Sequence, residues 1–215
     1  MAFVVAVAQQ KGGSGKSTVA ANLAAVLAAE GHRVALLDTD PQGSVTRWHA
    51  ERSRHAPGRA APLFFDNPSG WRVPGALDRL RRAQDVIVLD TPPHAGTDAK
   101  LAIRAADLVL MPLQPSPADL WASEGTRRLA AEEKRPLRAV LNRVPAQGKM
   151  RGGVEAALAR QEVPLLDETL GNRAHFASAF LEGLAVTEAA PRSVAASEAR
   201  ALAAAVAALA PLPVG

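Results

Sequence analysis

Residues 3–18 read Phe3-Val4-Val5-Ala6-Val7-Ala8-Gln9-Gln10-Lys11-Gly12-Gly13-Ser14-Gly15-Lys16-Ser17-Thr18. A run of strand-forming residues passes through closely spaced glycines into Lys16-Ser17-Thr18 and then into the helical spacing Val19, Leu23, Val26, Leu27. Between a strand and a helix, such a loop is a phosphate cradle rather than a flexible turn. Gly12, Gly13 and Gly15 let successive N–H groups point inward, Ser14 lies among them, and the helix start adds its positive dipole end. The expected ligand is ATP with Mg²⁺. Lys16 reaches the β- and γ-phosphates, the Ser17 hydroxyl ligates Mg²⁺, and Thr18 lies over the α-phosphate. The opening Met1–Ala8 lacks a basic flank and a cleavage site, so it reads as a first strand and not as a signal peptide.

Outward from this loop, short apolar runs recur at Phe3–Ala8, Arg33–Asp38, Asp85–Asp90, Asp107–Leu113 and Leu137–Val144, with a shorter one at Val163–Leu166. None alternates with period two, so each reads as buried on both faces, as in a parallel sheet covered by helices. Helical stretches lie between them at Ser17–Glu30, Gly75–Ala83, Pro117–Glu133 and Gly153–Arg160, and a last one spans about Val194–Leu209. The alternation predicts right-handed βαβ units in a three-layer α/β fold with a mostly parallel central sheet, of the P-loop NTPase type. The 215 residues suit one domain, 1–215. Glu51–Pro74, with four prolines and little periodicity, reads as an irregular connection carrying a short strand near Leu63-Phe64-Phe65.

Two strands end in carboxylates. Ligand-binding residues of open parallel sheets gather at the carboxyl ends of strands, so Asp38-Thr39-Asp40-Pro41-Gln42 places Asp40 near the γ-phosphate. Val86-Ile87-Val88-Leu89-Asp90 is an apolar strand ending in aspartate, and Asp90 should accept hydrogen bonds from a magnesium-bound water.

Composition narrows the chemistry. There is no cysteine, which excludes disulfides, iron–sulfur clusters and thiol nucleophiles. The five histidines are scattered without metal-ligand spacing, and Trp48, Trp71 and Trp121 read as packing or interface residues. No apolar run spans a bilayer, so a cytoplasmic protein is expected. The net charge is +4, carried mostly by arginine. That balance is compatible with nucleic-acid binding without establishing it.

The Lys-Gly-Gly-x-Gly-Lys-Ser arrangement, with Gln10 at the usual first glycine position and Lys11 as an early second lysine, resembles the deviant Walker A box of the ParA/MinD family. Asp38-Thr39-Asp40-Pro41-Gln42 and Asp90-Thr91-Pro92-Pro93-His94-Ala95-Gly96-Thr97 are similar to its two switch segments. Leu170–Phe176 and Glu182–Glu188 match its C-terminal pattern, so the resemblance covers nearly the whole chain and weakens only across about Arg52–Gly75. It implies that Lys11 reaches across a homodimer interface to the partner's nucleotide. It implies that Asp40 positions the attacking water and that Asp38 supports the magnesium's water shell. Met111–Leu120 looks like the family's strand-to-helix turn facing the nucleotide, and Asn142 and Arg143 occupy positions that meet adenine.

The chain most resembles the small, ParF-like members without a helix-turn-helix reader. The implied function is a slow, partner-stimulated ATPase that dimerises on ATP, binds DNA without sequence preference and positions a plasmid, a chromosome region or a protein cluster. A ParB-like or cargo-adaptor protein would stimulate it, and it would sit on the nucleoid. Two stretches can carry the charge excess, Arg47–Arg82, with eight arginines against Glu51, Asp66 and Asp78, and the C-terminal third; the resemblance puts DNA contacts in the second, at Arg173, Arg192 and Arg200, with Lys149 and Arg151 nearby. Two rivals remain. A MinD-like membrane-bound regulator needs a basic amphipathic C-terminal helix, whereas Glu198–Leu209 is alanine-rich with one arginine, so no membrane partner is expected. A biosynthetic ATP-dependent ligase needs a small-molecule pocket that nothing in the sequence marks.

Overall fold

A computed structural model describes residues 1–55, 58–93, 96–147 and 150–210. Seven strands form one parallel sheet: β1 (Phe3–Val7), β2 (Val34–Asp38), β3 (Phe64–Asp66), β4 (Val86–Asp90), β5 (Leu108–Leu113), β6 (Leu137–Val144) and β7 (Leu165–Gly171). Their order is β3-β2-β4-β1-β5-β6-β7. The helices are α1 (Lys16–Ala29), α2 (Ser44–His55), α3 (Val73–Leu80), α4 (Thr97–Ala105), α5 (Pro117–Glu132), α6 (Met150–Arg160), α7 (Ala174–Leu181), α8 (Val186–Ala189) and α9 (Val194–Ala208). The expected three-layer architecture is the observed one.

The two faces follow from strand geometry, since successive side chains point to opposite sides. Phe3, Val5 and Val7 of β1 pack with Leu36, Val88 and Leu110 under α1, α2, α7, α8 and α9. Val4 and Ala6 pack with Leu37 and Leu89 under α3 and α4. Met111, Leu113 and Leu141 pack under α6, and Val109 packs with α4 and α5. Both faces of the central strands are covered, which is why those runs are continuously apolar. In register, Val7 lies beside Asp90, and Asp90 beside Asp38. The loop after β1 and the two strand-end carboxylates therefore meet at one end of the sheet.

The structure departs from the sequence-based expectations in three places. The last strand runs Leu165–Gly171 rather than Val163–Leu166. It is an edge strand and only partly buried, so Asp167 and Glu168 are tolerated within it. Glu51–His55, expected to be irregular, completes α2, whose buried stripe is Val45, Trp48 and Arg52. An apolar stripe ending in a charged residue hides its helical period. The short helices α4, α7 and α8 fall in stretches to which no element had been assigned.

Arg52 explains how that segment is anchored. Its guanidinium forms a buried pair with Glu188 of α8, both contacts at 2.7 Å, and also donates to the carbonyls of Gly183 and Ala61. Glu188 in turn accepts from the N–H groups of Ala61 and Ala185, each at 2.8 Å. A buried charge that loses its partner is costly. Glu188→Gln is expected to destabilise the fold by about 2–3 kcal/mol, measured by urea unfolding. An unchanged midpoint would refute this role.

Candidate nucleotide site

The phosphate loop folds as its glycines require. Gly13 and Gly15 adopt φ of 80° and 91°, in the left-handed region, and Gly15 caps α1. A Cβ on Gly15 would lie 2.3 Å from Nδ2 of Asn142, so that position also needs glycine for close approach. Lys16 begins α1 and is only 6% exposed. Burial pushes its pKa below the ordinary lysine value, while the charges of Asp90 and Asp40 pull it back up. Gly12, Gly13, Gly15, Lys16, Ser17, Thr18 and Asp40 line one cavity of about 240 Å³. Thr18 and Arg143 also line a neighbouring cavity of about 230 Å³, together with Asn142, Asn172 and Phe176.

Asp90 is fully buried, and among the described residues neither carboxylate oxygen has a hydrogen-bond donor. Burial pushes its pKa up to about 8, the neighbouring Asp38 adds to the rise, and the nearby Ser17 hydroxyl and Lys16 oppose it. Ser17 sits beside the carboxylate without a hydrogen bond of ordinary geometry. The buried Ser14 hydroxyl is likewise unpartnered. Uncompensated buried anions are rare and costly. Two orphaned oxygens on a raised carboxyl beside a serine hydroxyl fit a hard divalent cation with oxygen ligands, which is the donor set Mg²⁺ takes.

Asp38 differs from Asp90. It is 3% exposed, but its Oδ2 accepts from the Thr46 N–H and hydroxyl, each at 2.7 Å, and its Oδ1 accepts from the Asp40 N–H at 3.1 Å. Burial raises its pKa, and the Thr46 and Asp40 hydrogen bonds work against that. Where a place in the metal's water shell was expected, the structure shows a carboxylate engaged in holding the start of α2 and the turn that carries Asp40. Asp40 is half-buried on the cavity wall; its Oδ1 accepts from Gln42 N–H at 2.9 Å. Among the described residues, Oδ2 has no hydrogen-bond partner.

Asn142, expected at adenine, lines the neighbouring cavity; its Nδ2 donates to the Ser14 carbonyl at 2.7 Å and its Oδ1 accepts from the Arg143 N–H at 2.9 Å. The Nδ2 bond holds the phosphate loop against β6, and the Oδ1 bond, local to the strand, orients the amide. Arg143 itself is exposed, with φ of 53°, and borders both cavities.

Lys11 lies on the outer rim and pairs with Asp119, not with any group inside the cavity. Asp119 is 1% exposed, and it also accepts from the Ser116 hydroxyl at 2.7 Å and the Gln114 N–H at 3.2 Å. The Gln114 side chain donates to the Gly13 carbonyl at 3.1 Å, which joins the turn after β5 to the phosphate loop. Sequence reading missed Asp119. Its signal is the spacing Ser116-Pro117-Ala118-Asp119, in which Ser116 caps α5 by accepting from Asp119 N–H.

The residues chosen for DNA contact separate. Arg173 is bound to Glu198 through three contacts of 2.6–3.0 Å, which also hold its pKa above the usual arginine value. Its charge is paired within the fold. Arg192 and Arg200 are exposed, and Arg200 donates to the Pro191 carbonyl at 3.0 Å. Arg151 pairs with Glu155 at 2.7 Å. His94, Ala95, Lys149 and the tail 211–215 lie outside the described residues. Among the described residues, no helix is long and apolar enough to cross a membrane.

Comparison with known proteins identifies the family. The model of the CobQ/CobB/MinD/ParA nucleotide binding domain matches residues 5–186. The chain is 34% identical over 207 residues to the maintenance of carboxysome distribution protein A of Halothiobacillus neapolitanus, covering 92% of each. It is 37% identical over 191 residues to the protein of the same name from Gloeobacter kilaueensis, covering 86% of this chain and 84% of that one. Among solved structures, the septum site-determining protein MinD of Pyrococcus horikoshii, complexed with Mg-ADP, superposes with a TM-score of 0.81 over 98% of each chain at 20% identity, a likeness of fold. The chain therefore belongs to the CobQ/CobB/MinD/ParA nucleotide-binding family, and within it to the ParA/MinD-type P-loop ATPases.

Proposed function

We propose that this chain acts as a single domain that hydrolyses ATP in a homodimer and positions a cargo over DNA. The observation that carries the reading is the contrast between the loop's two lysines. Lys16 is buried in the phosphate cavity, whereas Lys11 is on the rim, held by Asp119 and turned away from its own cavity. A loop lysine that does not serve its own nucleotide is placed to serve a partner subunit's. There its charge offsets the charge that develops on the γ-phosphoryl group.

In this reading Lys16 and the loop N–H groups bind the triphosphate, and Asp40 orients the attacking water. Arg143 borders the base. Ser17 and Asp90 would hold Mg²⁺, directly or through its water, and Asp38 positions Asp40. Bound Mg²⁺ neutralises charge on the phosphate oxygens. The cargo assigned here is a protein cluster, because two relatives aligned over most of their length are named for distributing carboxysomes. An adaptor on that cargo would stimulate hydrolysis, and the DNA-bound dimer would sit on the nucleoid.

DNA contact falls to Arg192 and Arg200, doubled by dimerisation. Pairing two weak patches makes affinity rise with ATP and fall steeply with salt. The test is fluorescence anisotropy with two unrelated duplexes across a salt series, with and without ATP. Binding should need ATP and be equal for both duplexes. Arg192→Glu with Arg200→Glu should weaken both alike, and the log–log salt slope should become shallower by about 0.9 per lost phosphate contact. Binding without ATP, or to one duplex only, would overturn the mechanism. No binding at all would favour the MinD-like reading, with anchoring to a membrane or scaffold.

A further inference from the structure

At the opposite end of the strands from the phosphate loop lies a third cavity, of about 490 Å³, between the last turns of α5 and the segment leading into β7. Its lining includes Ala130 and Ala131 of α5, Leu137 at the start of β6, and Val163 and Pro164 before β7. Arginines stand around this apolar lining. Arg127 is tied to Gln161, donating to its side-chain oxygen at 2.6 Å and its carbonyl at 3.3 Å, and Arg128 lies 3.9 Å from Glu132.

Arg135 is different. It lines the cavity and is half-buried, its Nε is buried with no acceptor, and among the described residues its guanidinium has no carboxylate partner. The more deeply buried Arg52 has Glu188 and Arg173 has Glu198, and the half-buried Arg81 and Arg138 donate instead to the carbonyls of Ala105 and Leu137. A buried guanidinium N–H with neither kind of acceptor is costly unless a ligand supplies one.

Lys134 and Glu162 end α5 and α6 as left-handed caps with φ of 55° and 52°; the Arg135 N–H donates to the Ala130 carbonyl at 2.8 Å and the Val163 N–H to the Leu158 carbonyl at 3.0 Å, which fixes both segments at the cavity.

We propose that this groove is a docking site for a segment of a partner protein that presents an acidic side chain beside apolar ones, the carboxylate pairing with Arg135. Charge complementarity favours that occupant over a nucleic acid. The rim also carries Glu124 and Glu162, which repel a continuous polyphosphate but accept the N–H groups of a peptide. The apolar lining takes side chains and offers nothing to a phosphate backbone. A bidentate arginine–carboxylate pair fixes the register of the bound segment.

The probes are fluorescein-labelled, capped octapeptides in which leucine alternates with glutamate, glutamine or lysine, titrated by anisotropy against the full chain. The glutamate peptide should bind roughly tenfold or more tightly than the other two. Arg135→Gln should remove that preference, and Arg135→Lys should keep part of it. Ala131→Trp, which fills the groove and leaves the guanidinium in place, should block binding while ATP affinity and the melting temperature hold. Octanoate and a short DNA duplex are added as competitors, and neither should displace the peptide. Equal binding of the three peptides, binding of none, or full binding by Arg135→Gln would overturn the proposal. Displacement by octanoate would overturn it in favour of a small carboxylate ligand, and displacement by the duplex in favour of nucleic acid.

Discussion

Lys16→Ala is expected to cause the largest loss of ATP binding of any single substitution in the loop. The ammonium is 6% exposed and sits in the same cavity wall as the loop glycines and Asp40. Burial already works against its charge, and only Asp90 and Asp40 offset that. Triphosphate oxygens would complete the compensation, so removing the lysine leaves buried phosphate charge without its chief cation. The loss should be about 2–5 kcal/mol, or roughly 30- to 5,000-fold in Kd. Isothermal titration with and without Mg²⁺ measures it. Full affinity in the variant would remove the phosphate loop from the mechanism. The fold should survive, because glycine geometry and the Asn142–Ser14 hydrogen bond, not Lys16, shape the loop.

Asp40→Ala and Lys11→Ala should fail in opposite ways. Asp40 keeps one oxygen on the Gln42 N–H and leaves Oδ2 for a water at the cavity wall. Its removal should leave ATP binding and dimerisation intact and lower turnover by roughly 10²- to 10⁴-fold, the usual contribution of a positioned acid or base. Lys11→Ala should bind ATP, since Lys11 is on the rim, but stay monomeric and inactive. Size-exclusion chromatography with light scattering separates the two variants, and phosphate release gives the rates. If the wild type and the Asp40 variant both remain monomeric with ATP, the proposed ATP-dependent homodimer is wrong. Forming it would exchange the Lys11–Asp119 pair for contacts with the partner's phosphates, so Asp119→Asn should make dimerisation easier rather than harder.

The phosphate loop and central strands were legible because their determinants are local. Glycines at positions needing positive φ, a lysine and serine at a helix start, and strands apolar on both faces announce themselves within a few residues. Asp40 and Asp90 were found because strand ends converge in a parallel sheet. Less was legible where a helix buries a charge. Arg52 broke the apolar stripe of α2, and its partner Glu188 lies 136 residues away. Asp119 went unnoticed because its neighbours, Lys11 and Gln114, come from the ends of two different strands.

By itself, the sequence determined the α/β class, the phosphate loop and the two carboxylate-ended strands around it. Only the tertiary structure decided which polar groups are engaged and which are free. Asp38 and Asp90 both end buried strands side by side, yet Thr46 and the Asp40 backbone occupy the first, and the second is left with no partner. Asn142 holds the loop, Arg173 is neutralised by Glu198, and Arg135 faces a groove with no anion of its own. The reason is physical. Residue type sets what a group can donate or accept, but whether it is satisfied depends on partners that long-range packing brings within about 3 Å.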